Sequence, residues 1–269
     1  METAFLCVTC GTQHAPSAAP PPSCPICEDE RQYVPESGQQ WTTLEAVAKR
    51  HRATLKYDGA LLGIGCAPDF AIGQRALLVR GPRGNVLWDC IAFLDDALVE
   101  VLRALGGISA IAISHPHYYS TMLEWSRAFG GAPVYLHAAD RAHVMRTGPE
   151  IVFWDGETRE IAPGLTLIRA GGHFAGGTVL HDARGAGTLL TGDILQAVAD
   201  RRFVGIMRSY PNYIPVGEAV ARRIGEVLEP WPFDALYGAF WGRRIGTGAK
   251  QAVAASIARH VAHLHRGWP

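Results

Sequence analysis

Charge is scarce in this chain and favours neither sign: Asp, Glu, Lys and Arg make up 19% of it, with 25 basic against 25 acidic residues. That balance gives no global pull toward a phosphate backbone or an anionic lipid surface, so a nucleic-acid partner is not expected. Long apolar runs are missing as well. The opening METAFLCVTCGTQH has no basic start leading into an apolar stretch, and no later window stays apolar over the roughly 18 residues of a membrane helix. No membrane partner is expected, and the chain reads as soluble and cytoplasmic. No internal repeat recurs at a fixed period. Beyond residue 27 cysteine is limited to Cys66 and Cys90, which lack basic neighbours and read as small buried hydrophobes, not nucleophiles.

The remaining four cysteines are clustered, as C7-V-T-C10 and C24-P-I-C27. Two CxxC pairs across a short loop can wrap one ion tetrahedrally, at about 2.3 Å per thiolate. In a reducing compartment such clustering indicates metal over disulfides. Zinc is the first choice and iron in a rubredoxin-like site the second. A closed four-thiolate shell leaves no position for substrate, so the ion's role is structural, and so small a unit is expected to cover part of the main body or of a partner subunit. The proline-rich HAPSAAPPPSCP between the pairs is a loop. Thr42 and Glu45 have the spacing of a capping box ahead of LEAVAKRH. The expected organisation is a zinc-ribbon-like module over 1–34, a linker helix over 35–58 and a main domain over 59–269.

Within the main domain, ALLVRGPRGNVLW at 76–88 suggests a hairpin turning at GPRGN. In DDALVEVLRALGG, Leu98, Val101, Leu102 and Leu105 recur at helical spacing, with Asp95 or Asp96 as cap and Gly106-Gly107 as stop. ISAIAI at 108–113 reads as a buried strand. Further strands are expected at 133–137, 165–170, 177–182 and 187–192, and helices near 138–146, 217–229 and 249–265. In the last helix Val253, Ile257, Val261 and Leu264 mark one face, leaving His260, His263 and His265 at the surface or flank.

Three of these strands end in metal-ligand residues. The 108–113 run leads into Ser114-His115-Pro116-His117, where Pro116 keeps His115 extended and an extended chain would point His115 and His117 the same way. HxH alone is a weak signal. Gly171-Gly172-His173 follows LTLIRA, and Thr191-Gly192-Asp193 follows GAGTLL. Three histidines and an aspartate at strand ends, with glycines allowing close backbone approach, form the ligand set of a metal whose coordination stays partly open.

In this order the motifs resemble those of the metallo-β-lactamase superfamily, over roughly residues 60–245. A hairpin ends in the acidic turn Leu87-Trp88-Asp89, and HPHYYS, GGHFAGG and TGD stand where the family has its HxHxDH, glycine-His and TGD motifs. The resemblance implies an α/β fold, the αββα sandwich of that family. It also implies one surviving metal position. Tyr119 and Ser120 replace the aspartate and histidine of the second site, and LYGAFWG at 236–242 lacks the closing histidine. One ion, zinc or iron, is thus expected on His115, His117, His173 and Asp193. Asp193 and Tyr119 are the expected catalytic residues: Asp193 as fourth ligand or water-orienting group, Tyr119 because it replaces a ligand. Tyr118, Tyr210, Tyr213 and Trp241 are further candidates to line the vacated space, although aromatic packing is the simpler reading of each. His137, His143 and His181 are structural.

The function expected from this site is hydrolysis of an ester, lactone, thioester or amide in a small-molecule substrate, with the ion lowering the pKa of water toward about 7. His115, His173 and Asp193 also compose a two-histidine, one-carboxylate set, so the alternative is a non-haem iron oxidoreductase resembling the persulfide dioxygenases of the superfamily. A non-catalytic metal-binding protein is the third reading. A homo-oligomer is left open.

Overall fold

The computed structural model describes residues 2–266. Its layers follow from the two-residue period of the strands, which sends alternate side chains to opposite faces. In the strand Ala76–Val79, Leu77 and Val79 enter one apolar cluster and Ala76 and Leu78 another. Asn85–Trp88 divides likewise, with Val86 and Trp88 on one side and Leu87 on the other. Across the first cluster lie Leu167, Leu180 and Leu190 of the second sheet, whose neighbours Ile168, Val179 and Leu189 face away into a third cluster. The outer clusters are closed by helices. Asp96–Ala104 and Met122–Ala128 contribute Leu98, Leu102, Leu123 and Trp125 on one side, and Glu218–Leu228 and Ala249–His265 contribute Ile224, Leu228, Val253 and Val261 on the other. The result is the expected αββα sandwich. Each fully buried Leu, Val or Ile contributes about 1.5–3 kcal/mol, so a one-residue slip of any central strand would forfeit several such terms at once.

The first sheet has seven strands in sequence order: Arg52–Asp58, Leu61–Ala67, Ala76–Val79, Asn85–Trp88, Ile108–Ala112, Val134–His137 and Ile151–Trp154. The first four are antiparallel neighbours and the last three continue in parallel. The second sheet has six, ordered Thr158–Ala162, Leu165–Arg169, Thr178–Asp182, Thr188–Gly192, Ala235–Gly238 and Arg244–Ile245. Strands running in parallel bring their carboxyl ends to one edge, where loops can converge on a ligand.

Several expectations are corrected in detail. The helix after the cysteine module spans only Leu44–Arg50, capped by Thr43, whose hydroxyl accepts from the Ala46 amide at 3.2 Å, and not by Thr42. Glu45 pairs forward with Lys49 instead of closing a capping box. Residues 52–58, expected as linker, form the outer strand of the seven-stranded sheet. Its two faces are mostly solvated, so it carries no apolar alternation. In the helix Asp96–Ala104, Val101 is exposed and Val99 takes the core position. The element near 138–146 is a 3-10 turn, Ala138–His143.

The cysteine module is anchored by the pairing of Leu6–Cys7 with Trp41–Thr42. Its interior consists of the four cysteines and Ile26, with Trp41 and Met145 packed against them. Met145 comes from the main body, so the module seals itself against that body. Backbone hydrogen bonds run from the Gln13 amide to the Ser120 carbonyl and from the Ala15 amide to the Met145 carbonyl.

Candidate metal centre

The two ligand clusters expected from the sequence are both assembled, and among the described residues they are the two groups of close-set His, Cys, Asp or Glu side chains able to hold an ion. In the module the thiols are buried and unbridged, with Cys7 Sγ 3.5 Å from Cys27 Sγ and Cys10 Sγ 3.7 Å from Cys24 Sγ. A disulfide would require about 2.05 Å. Bonds of about 2.3 Å to a tetrahedral ion place neighbouring sulfurs about 3.8 Å apart, which these spacings approach. Mutual hydrogen bonding divides the four thiols: with Cys10 as the leading donor, Cys24 is held far below its ordinary range and Cys7 is drawn down to about 6, while Cys10 and Cys27 are pushed above theirs. Gln39 Nε2 donates to Cys7 Sγ at 3.0 Å.

The second cluster forms where strands end. Asp89, at the end of Asn85–Trp88 with φ 62°, accepts the Ser114 amide at 2.8 Å and fixes the exit of the neighbouring strand. His115 is extended, as expected before proline. The chain then turns at once into a 3-10 helix, Pro116–Tyr118, because proline's fixed φ suits the first residue of a helical turn. His117 therefore reaches the cluster from that turn and not along an extended dipeptide.

The three imidazoles present their nitrogens to a common point. His117 Nδ1 and His173 Nε2 face each other at 3.2 Å, and His115 Nε2 lies 3.7 Å from Asp193 Oδ2. All four ligand atoms fall within 4.8 Å of one another. Bonds of about 2.0–2.1 Å to a tetrahedral zinc would set such nitrogens about 3.3–3.4 Å apart. His173 Nδ1 donates to the Met207 carbonyl at 3.2 Å, which leaves Nε2 with its lone pair facing inward. His115 Nδ1 is hydrogen-bonded with the Ser114 hydroxyl at 2.9 Å, while its buried Nε2 has no protein donor or acceptor. Burial holds His115 and His117 well below the usual imidazole range and His173 at about 4, so all three are neutral donors near pH 7. Burial likewise lifts Asp193 and Asp89 to about 7. The residues present fit a metal ion.

Asp193 is held from two sides. Tyr118 Oη donates to its Oδ2 at 3.1 Å, and Gln196 Nε2 donates to its Oδ1 at 3.3 Å. Tyr118 takes the place expected of Tyr119. Both rings belong to the apolar cluster beneath the first sheet, but the Tyr119 hydroxyl bonds to none of the four ligands. In a 3-10 turn residues three apart eclipse, which brings Tyr118 over His115 with ring centroids 4.7 Å apart and turns Tyr119 away. Ser120 engages the cysteine module through its carbonyl. Tyr210 does line the cleft above the ligands, Tyr213 is exposed, and Trp241 borders the adjoining cleft. His137 accepts from the Ala139 amide and His181 Nε2 donates to the Pro232 carbonyl, in keeping with structural roles.

Gly192 just before Asp193 has φ 51°, and a β-carbon there would run into the Ser114 hydroxyl. Gly192→Ala is expected to lower stability by about 1–3 kcal/mol from backbone strain alone. Chemical denaturation of the purified variant checks this, and an unchanged midpoint would show that the turn tolerates a side chain.

One wall of the site carried no sequence signal. Arg31, Gln32 and Tyr33, shortly after Cys27, line the cleft of about 390 Å³ that opens on His117, His173 and Asp193. Asn212 fastens this segment by donating to the carbonyls of Glu30 and Gln32, both at 2.9 Å, and Ser209 Oγ donates to the Arg31 carbonyl at 3.1 Å.

Solved structures share this architecture at low identity. VMB-1 aligns with TM-score 0.60 and 13% identity over 79% of this chain and 98% of its own. DIM-1 metallo-beta-lactamase aligns at 0.56 and 12%, over 78% and 96%. A metallo-beta-lactamase from Pontibacter korlensis aligns at 0.54 and 14%, over 77% and 99%. The chain is thus a protein of the metallo-β-lactamase fold, carrying a four-cysteine cluster and a His/His/His/Asp cluster. No family model matches it. It is 46% identical over 267 residues, 97% of each chain, to the uncharacterized protein YmaE of Bacillus subtilis (strain 168), and it belongs to the family of that protein. Among the described residues no helix is long and apolar enough to cross a membrane.

Proposed function

We propose that the protein is a metal-dependent hydrolase acting on an ester, lactone, thioester or amide of a small molecule, with one ion on His115, His117, His173 and Asp193. The observation that carries this reading is the pair of neutral imidazole nitrogens, His117 Nδ1 and His173 Nε2, facing each other at 3.2 Å at the foot of an open cleft. A bound ion supplies Lewis acidity there, polarising a carbonyl and acidifying water. The chain's own groups do the rest. The Met207 carbonyl fixes His173 in the tautomer that presents Nε2, and the Ser114 hydroxyl orients the His115 ring. Tyr118 and Gln196 hold the Asp193 carboxylate in place, and the cleft volume suits a small molecule, not a polymer strand. Zinc is the proposed ion in both clusters. Four buried unbridged thiols suit a reducing compartment, so cytoplasmic residence is part of the proposal.

The test is twofold. Elemental analysis of protein purified without added metal should find zinc at two ions per chain. The zinc-loaded chain should hydrolyse at least one class in a panel of ester, lactone, thioester and amide substrates, while His115→Ala should not. Activity equal to that of the variant on every class would discard the reading, and iron accompanied by oxygen uptake would replace it with an oxidoreductase.

A further inference from the structure

Arg31 is the one cationic side chain among the residues lining the metal cleft, and it comes from the cysteine module, two residues beyond Asp29. Its Nε donates to Asp29 Oδ1 at 2.6 Å and its Nη2 to Asp29 Oδ2 at 2.5 Å, so one side of the guanidinium is locked. The plane lies over Phe174, 3.7 Å from the ring centroid, and Phe174 itself stacks on His115. Nη1 makes one long contact, 3.4 Å, with the carbonyl of the ligand residue His173. A guanidinium has five N–H hydrogens. Three are engaged, which leaves one on each terminal nitrogen, and that end-on fork matches the two oxygens of a carboxylate. The side chain is only 11% exposed, so the fork is held in place before any ligand arrives.

The geometry points to Arg31 as a specificity-determining residue that binds a carboxylate carried by the substrate beside its scissile carbonyl. The substrate class is then a carboxylic acid bearing an ester, lactone, thioester or amide. This rests on the hydrolase reading above for the word substrate, but not for the binding event. The cysteine module thus takes part in recognition, with Asp29 as the positioning residue for Arg31.

Binding can be read without turnover, using zinc-loaded full-length protein and calorimetric titration. The probes are acetohydroxamate and the monohydroxamates of malonic, succinic and glutaric acid, which share one metal-binding group and differ by a terminal carboxylate. At least one of the three acids should bind about tenfold or more tighter than acetohydroxamate, the scale of a charge-assisted hydrogen-bonded pair. Arg31→Gln should bring that preference to within twofold, and Arg31→Lys should retain part of it. Zinc content verifies that each variant is folded, and if Arg31→Gln loses zinc the comparison is made on Arg31→Lys, where an undiminished preference counts against the assignment. Equal binding of all probes by the wild type, or a preference that survives Arg31→Gln, overturns the role of Arg31 and leaves the metal site standing. Binding of none of the probes overturns the open metal site and this assignment together.

Discussion

Cys24→Ser is expected to strip the module of its ion and to weaken the second metal site as well. Structural zinc in small thiolate sites has apparent binding free energies of about 10–16 kcal/mol near pH 7, and in so small a unit that energy is folding energy. Among residues 2–34 the buried aliphatic side chains other than cysteine are Leu6 and Ile26, so little apolar burial remains once the ion is lost. The damage should spread because residues 29–33 pack against the His173 loop and the 207–215 hairpin. The expected readings are loss of one zinc per chain, protease cleavage within residues 1–50, and a lower affinity for the remaining ion. A Cys24→Ser protein that keeps two ions and resists protease would show that the module is held by packing alone.

His173→Ala should be the most damaging single change at the second site. It removes an inward-facing nitrogen and leaves His117 Nδ1 without its partner at 3.2 Å. Groups that only support a ligand cost about 10–100-fold in metal affinity when removed, and loss of a ligand should exceed that. Tyr118→Phe, which frees one oxygen of Asp193, belongs in the 10–100-fold range, whereas Tyr119→Phe should leave affinity unchanged. Competition with a zinc-responsive chelator orders the three. If Tyr119→Phe outweighed Tyr118→Phe, the arrangement of the turn after His115 would be wrong.

The same turn shows where a sequence is legible and where it is not. His115, His117, His173 and Asp193 could be picked out because each stands at or just beyond a strand end whose apolar run is readable, and because their order resembles a known set. The face on which a tyrosine emerges depended on whether the chain ran straight or turned at Pro116. Proline restricts the residue before it but also favours opening a helical turn itself, and at Pro116 both effects operate. The strand Arg52–Asp58 is not legible because a largely solvated outer strand lacks apolar alternation. Arg31 had no motif around it at all. Its place beside the ligands is set by docking, through Asn212, Ser209 and the Arg208–Glu30 pair, between segments about 180 residues apart.

That docking also bears on how the chain can be divided. A fragment beginning at Arg52 would retain both sheets and every ligand of the His/Asp centre, and by chain order it would look like a complete enzyme body. It would nonetheless lack the side of the cleft built from Arg31, Gln32 and Tyr33, and it would bare Met145 and the carbonyl of Ser120 to water. If Arg31 binds as proposed, such a fragment would load metal and yet be indiscriminate, and the piece expected to choose its ligand includes the segment before Cys7 as well, because Thr3, Phe5 and Leu6 pair with the module's backbone.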